Sequence, residues 1–120
     1  NTRLYAVQGN GCAPIVRAFA AGTKYAEKWA DAETEAFGLR VPGALGDFLM
    51  LRALRESGGG AISVSDEEMK AGARTLGEAG IGASIEGGAT LAGALELRRR
   101  GELREGETVI LFNTAHLLTY

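Results

Sequence analysis

The chain is poor in the residues that most often carry chemistry. Of its 120 residues one is cysteine, one is histidine and two are proline. A single thiol, Cys12, closes no intrachain disulfide, and one thiol builds no metal cluster. That cysteine usage fits a reducing compartment such as the cytoplasm. With His116 alone, no histidine-based metal site or Ser-His-Asp triad can draw on a second imidazole. The three lysines, Lys24, Lys28 and Lys70, stand in charged, solvated stretches, unlike a desolvated nucleophilic amine. No run approaches the ~20 apolar residues of a membrane span, and no secretory signal opens the chain. The formal charge of −2 shows no basic excess, which argues against a nucleic-acid partner.

What is abundant is glycine, at 18 residues. Periodic apolar segments separate these glycines, so they read as tight connections and close backbone approaches rather than disorder. A hydrophobic content of 46% and a charged content of 23% are ordinary for a globular chain. One domain over residues 1–120 is the natural reading at this length. The sequence opens at Asn1, just before an apparent strand, and reads as a piece of something longer.

Residues 3–8 read as a strand. Gly9-Asn10-Gly11 turns the chain, Pro14 suits the first turn of a helix over 14–21, and Gly22 caps it. A glycine-rich strand-to-helix turn can cradle phosphate, but this one lacks the dinucleotide fingerprint, and an ordinary turn is favoured. That also disfavours a nucleotide-binding regulatory domain. Residues 23–38 read as a loop with a short helical turn anchored by Trp29, followed by an extended segment over 38–43 stiffened by Pro42. A helix over 44–57 is apolar around most of its circumference and is expected to be largely buried. Residues 61–64 form a second strand. Ser65 and Glu68 make a capping box that opens a helix to about residue 79. A short third strand over 81–84 and a helix over 89–100 follow, with Arg98, Arg99 and Arg100 complementing the helix C-terminus.

Residues 109–112 form an apolar, β-branched run ending in Asn113 and Thr114. The pattern predicts a strand buried in a parallel sheet, with those two polar residues at its ligand-binding carboxyl end. Strands alternating with helices predict an α/β fold: a partial three-layer α/β/α sandwich with a mostly parallel sheet of three to four strands. Glu86, between the third strand and a glycine pair, reads either as a carboxylate facing a site or as a favourable charge at a helix N-terminus. Thr114 is a candidate ligand contact. Cys12 reads as a small buried hydrophobe and His116 as an ordinary histidine.

Several stretches, in order along the chain, resemble threonine synthases and their relatives. They are Gln8 with Gly11-Cys12-Ala13-Pro14-Ile15-Val16-Arg17-Ala18-Phe19, then Gly38-Leu39-Arg40-Val41-Pro42 and Ala44-Leu45-Gly46-Asp47-Phe48-Leu49. Arg52-Ala53-Leu54-Arg55-Glu56-Ser57-Gly58-Gly59, Ala61-Ile62-Ser63-Val64-Ser65-Asp66-Glu67-Glu68, Glu86-Gly87-Gly88-Ala89-Thr90 and Leu111-Phe112-Asn113-Thr114 complete the resemblance. It covers only the C-terminal third or so of such an enzyme.

The resemblance implies the fold type II group, related to tryptophan synthase β, with pyridoxal phosphate as cofactor. It implies a whole enzyme that converts O-phosphohomoserine and water to threonine and phosphate, as a homodimer. The Schiff-base lysine and the phosphate loop of that family lie upstream of the stretch resembled. This chain would then be the C-terminal part of the large cofactor-binding domain, inactive alone and needing the N-terminal part as partner. Thr114 resembles the hydroxyl residue that contacts the pyridine nitrogen, with Asn113 beside it. Gly38 and Leu39 resemble the backbone that passes the ring, and Glu86 a carboxylate at its edge. There are two departures from the pattern: Ile85 stands where proline is frequent, and Ala115-His116-Leu117-Leu118 where small or polar residues are. Two other readings remain: a sister replacement or elimination on another amino acid, and a stand-alone α/β interaction module.

Overall fold

The computed structural model describes residues 1–119. The element order is β1 (Tyr5–Gly9), α1 (Pro14–Ala21), a 3-10 turn (Phe37–Leu39), α2 (Asp47–Glu56), β2 (Gly60–Val64), α3 (Asp66–Glu78) and α4 (Ile85–Arg99). The class is α/β, as the alternation of strands and helices predicts. The chain forms two compact units, Asn1–Ser63 and the residues from Val64 on.

In the first unit β1 and β2 lie side by side in a parallel pair. Their approach depends on a missing side chain. A Cβ on Gly59 would overlap the Leu4 carbonyl oxygen, and the Gly60 N–H donates to that same oxygen at 3.1 Å. Ser57 clips this edge: its Oγ accepts from the Leu4 N–H at 3.0 Å and donates to the Leu54 carbonyl at 3.0 Å. The core joins α1 to α2 through Ile15, Ala18, Leu51 and Leu54, with Ala6, Phe19 and Ala61 packed around them.

Helix α1 begins at Pro14 and ends at Gly22, whose φ of 72° is the left-handed cap that glycine adopts without strain. Its first turn is closed from a distance. Gln8 Oε1 accepts from the N–H groups of Ile15 and Val16, at 2.9 and 3.1 Å. Those two donors are therefore committed within the chain, and Gly9-Asn10-Gly11 turns it into α1, with the Cys12 N–H on the Gly9 carbonyl at 3.0 Å. Cys12 is fully buried beside it.

Helix α2 corrects an expectation. It starts at Asp47, not residue 44, and only one stripe is buried: Leu51 and Leu54 are covered, whereas Phe48, Leu49 and Met50 are 38–48% exposed. A run that is apolar all round is buried all round only where it has neighbours all round. The stripe formed by Leu51 and Leu54 is the one that finds partners in this unit. The segment expected to be extended from residue 38 instead tightens into the 3-10 turn, with the Leu39 N–H on the Ala36 carbonyl at 2.9 Å. Residues 23–36 contain no helical turn. Trp29 is half-buried there, with the Arg17 guanidinium 4.7 Å from its ring centroid.

In the second unit α3 opens with the capping box: Glu68 N–H to Ser65 Oγ at 3.1 Å, Ser65 N–H to Glu68 Oε2 at 2.7 Å. Against it packs α4, whose buried positions are mostly small: Gly87, Gly88, Ala89, Ala92 and Gly93. This helix starts at Ile85, four residues before the expected start, so Glu86, Gly87 and Gly88 lie inside its first turn rather than ahead of it. At its other end Arg99 and Arg100 pair with Glu96.

The sheet has two strands among the described residues, not three to four. Residues 81–84 contribute one antiparallel bridge, Ala83 to His116. Residues 109–112 are not a strand, and Ile110 and Phe112 are 74% and 73% exposed. A β-branched run becomes a buried strand only by laddering onto neighbours, and no ladder forms on this one among the described residues.

Candidate functional site

The second unit gathers three of the candidate residues. The segment 113–117 folds back along Gly82, Ala83 and Ser84. The Ser84 N–H donates to the Ala115 carbonyl at 3.1 Å, and the Leu117 N–H to the Gly82 carbonyl at 3.3 Å. Two glycines make room for side chains of this segment. A Cβ on Gly87 would strike Asn113 Oδ1, and a Cβ on Gly82 would strike the His116 ring. Asn113 thus rests on the first turn of α4, one residue from Glu86. Thr114 lies between the two seated side chains, exposed, with its hydroxyl unbonded among the described residues. Asn113 and Thr114 are therefore placed by an antiparallel return against a helix start, not by the end of a parallel strand.

Below them is a polar atom without a partner. Ser84 is the N-cap of α4 in the extended conformation usual for a cap (φ −72°, ψ 176°), yet its side chain bonds no helix N–H. The residue is 5% exposed and its Oγ has no hydrogen-bond partner among the described residues. An unmatched buried hydroxyl is costly, and such atoms in native structures ask for an explanation. The start of α4 therefore offers uncommitted polarity: a buried hydroxyl, the exposed Thr114 hydroxyl nearby, and the positive end of a helix dipole. Nothing in the sequence singled out Ser84. A Ser four residues before Gly88, followed by Ile-Glu-Gly-Gly, is a legible N-cap signal once Glu86 is counted as helical.

Gly38 and Leu39 belong to the first unit. They sit in the 3-10 turn, Gly38 exposed and Leu39 half-buried, with the Val41 N–H returning to the Leu39 carbonyl at 2.9 Å. The Arg40 guanidinium lies 4.8 Å from the Phe37 ring centroid beside them.

Lys70 pairs with Glu67 at 3.2 Å on the surface of α3, Lys24 lies 5.4 Å from the Tyr25 ring centroid, and Lys28 is exposed. Among the described residues no group of three or more His, Cys, Asp or Glu could hold a metal ion. No helix is long and apolar enough to cross a membrane.

These residues fit one edge of a bound heteroaromatic cofactor. The exposed Thr114 hydroxyl and the start of α4 offer hydrogen-bonding groups that suit the polar edge of such a ring.

Comparison with known proteins gives the same direction. The family model for "Pyridoxal-phosphate dependent enzyme" matches residues 1–115. A threonine synthase of Methanosarcina acetivorans is 35% identical over 117 residues, 97% of this chain and 29% of that protein. A threonine synthase of Methanocaldococcus jannaschii is 28% identical over 115 residues, 95% of this chain and 28% of that protein. The chain thus spans less than a third of the length of the curated relatives it matches.

Proposed function

Because the chain belongs to the family of pyridoxal-phosphate dependent enzymes, we propose that it forms one wall of the cofactor site in a threonine-synthase-like enzyme. The reaction of the whole enzyme is then the conversion of O-phosphohomoserine and water to threonine and phosphate. Pyridoxal phosphate, when bound, supplies an electron sink for the substrate's developing negative charge. The single observation that carries the reading is the unbonded Thr114 hydroxyl, held beside the first turn of α4 by side chains seated on Gly82 and Gly87.

In this reading the residues divide the work simply. Thr114 donates to the ring nitrogen. A neutral hydroxyl, unlike a carboxylate, leaves that nitrogen largely unprotonated and so moderates the electron sink. Asn113 holds the segment onto α4, and Glu86 lies at the edge of the ring. The lysine that bonds the cofactor and the loop that holds its phosphate come from a part of the enzyme preceding this one. This chain is then the C-terminal part of the large cofactor-binding domain of a cytoplasmic homodimer, and is inactive alone. Coverage of under a third of the relatives' length supports that division.

The test uses the product of the whole gene. Its intact mass is measured, its visible absorbance is recorded with pyridoxal phosphate, and O-phosphohomoserine is supplied. The expected result is a product about three times this chain's length, a coloured protein, and equal release of threonine and phosphate. A coloured protein that turns over a different amino acid replaces the substrate but keeps the enzyme. A product of this chain's own length that binds no cofactor overturns the reading in favour of an interaction module.

A further inference from the structure

We propose that His116 is a positioning residue for the cofactor contact, acting through its seat on Gly82. The inference rests on the reading of Thr114 given above and adds a residue to which that reading assigns no part.

Four observations converge on His116. Its ring occupies the space that a side chain at position 82 would fill, since a Cβ there would stand 2.9 Å from His116 Cδ2 and closer still to Nε2. Its backbone makes the antiparallel bridge to Ala83. Its Nδ1 accepts from the Leu118 N–H at 3.2 Å, and its carbonyl accepts from the Thr119 N–H at 2.9 Å, which folds the chain into a turn around it. Finally, the neighbouring Leu117 N–H bonds the Gly82 carbonyl. Imidazole and backbone are thus both fastened to the same short stretch, two residues beyond Thr114.

At the other side of Thr114, Asn113 is seated in the same way on Gly87. The residue between two seated side chains has little freedom left, although it is exposed and its hydroxyl bonds nothing among the described residues. That is the arrangement needed to present a hydroxyl in one direction before a ligand arrives, and it spares the ligand the ordering cost. A small residue at 116 would leave the Gly82 gap unfilled and the turn unfastened. A larger residue at 82 would evict the ring.

The geometry makes a reciprocal demand that a general loss of stability would not. In the cofactor-loaded product of the whole gene, His116→Ala and Gly82→Ala should each weaken pyridoxal-phosphate binding by roughly ten- to hundredfold, as loss of an orienting partner does at metal ligands. Each should also reduce the visible circular dichroism of the bound cofactor, which reports a fixed ring. The double variant should be no worse than either single one, because the added methyl at 82 evicts nothing once the imidazole is gone. His116→Asn, whose Oδ1 can take over the Leu118 N–H, should recover most of the loss.

The inference is overturned if the two single losses multiply in the double variant. It is equally overturned if His116→Ala lowers only the melting temperature, with cofactor affinity and dichroism unchanged. His116 is exposed, so His116→Ala tests the idea even if Gly82→Ala fails to fold. If the unaltered protein binds no pyridoxal phosphate, the functional reading itself fails and takes the inference with it. If it binds normally and only the variants disagree, the functional reading stands and His116 is ordinary.

Discussion

Gly72 of α3 and Gly88 of α4 face each other across the helix crossing with no side chain between them. A Cβ on Gly72 would overlap the Gly88 carbonyl, and one on Gly88 would overlap the Met69 carbonyl and stand 2.5 Å from the Ala73 nitrogen. The obstacles are backbone atoms, which cannot swing aside. Gly88→Ala should therefore destabilise the chain by about 1–3 kcal/mol, the usual cost of overpacking. Gly77 lies in the same α3 with open space around its missing Cβ. Gly77→Ala should stabilise by about 0.4–1 kcal/mol, through reduced freedom of the unfolded chain. Chemical denaturation of the two variants should show midpoints moving in opposite directions. Movement in the same direction would refute the close crossing.

Gln8 supports α1 from outside the helix, and its removal should be felt there. Gln8→Ala leaves the N–H groups of Ile15 and Val16 without their acceptor, next to the buried Pro14 and Ile15. The expected cost is about 1 kcal/mol, similar to losing an N-cap side chain. Gln8→Glu keeps an acceptor oxygen and brings negative charge to the helix N-terminus, so it should recover most of that loss. Amide hydrogen exchange at Ile15 and Val16 would localise the effect. Unchanged protection of both amides in Gln8→Ala would show that the bonds contribute nothing.

These two cases mark where sequence reading succeeds and where it stops. The Ser65–Glu68 box and the Gly22 cap are legible because each is complete within a few residues, and both form as expected. Gln8 is not legible as a cap, because seven residues and a glycine turn separate it from its partners. The sequence pattern starts α4 at residue 89, because Glu86-Gly87-Gly88 reads as the lead-in to the helix rather than as its first turn. In the fold the two glycines are what lets α3 approach. The run over 109–112 was misread for a related reason: its pattern reports a preference for burial, but burial itself depends on neighbours. For the candidate site, Asn113, Thr114 and Glu86 stand out in the sequence as candidates. The seats on Gly82 and Gly87 and the orphaned Ser84 hydroxyl emerge only from contacts between segments far apart in sequence.

Glu96 gives a pH signature. Hydrogen bonds from Arg99, at 2.6 Å to its Nε, and from Arg100, at 3.0 Å, lower its carboxyl from 4.5 to about 2. The group binds protons less readily when folded, so its contribution is fully present above pH 4.5 and is lost as pH falls toward about 2. Wild type should therefore exceed Glu96→Gln in stability by a constant margin near neutrality, and that margin should shrink through this acid window. The cluster is on the surface, so added salt should shrink the margin at every pH. A margin that is flat down to about pH 2 would show that the pairing does not persist in solution.

Ile110 and Phe112 lie 74% and 73% exposed in a segment that forms no strand ladder among the described residues. An extended apolar run with unpaired backbone is a template for adding another strand, and natural proteins blunt such edges with charge, lysine above all. The chain should self-associate with rising concentration, and residues 109–112 should be the contact. Ile110→Lys together with Phe112→Lys places two positive charges on that segment and should shift sedimentation toward the monomer. Neither side chain belongs to the buried core of its unit, so the melting temperature should barely move. A second apolar patch provides the control: Leu45, Leu49 and Met50 on and before α2 are also exposed. If the double lysine variant associates as strongly as wild type while Leu49→Lys does not, the contact lies on α2 and the strand-addition account fails.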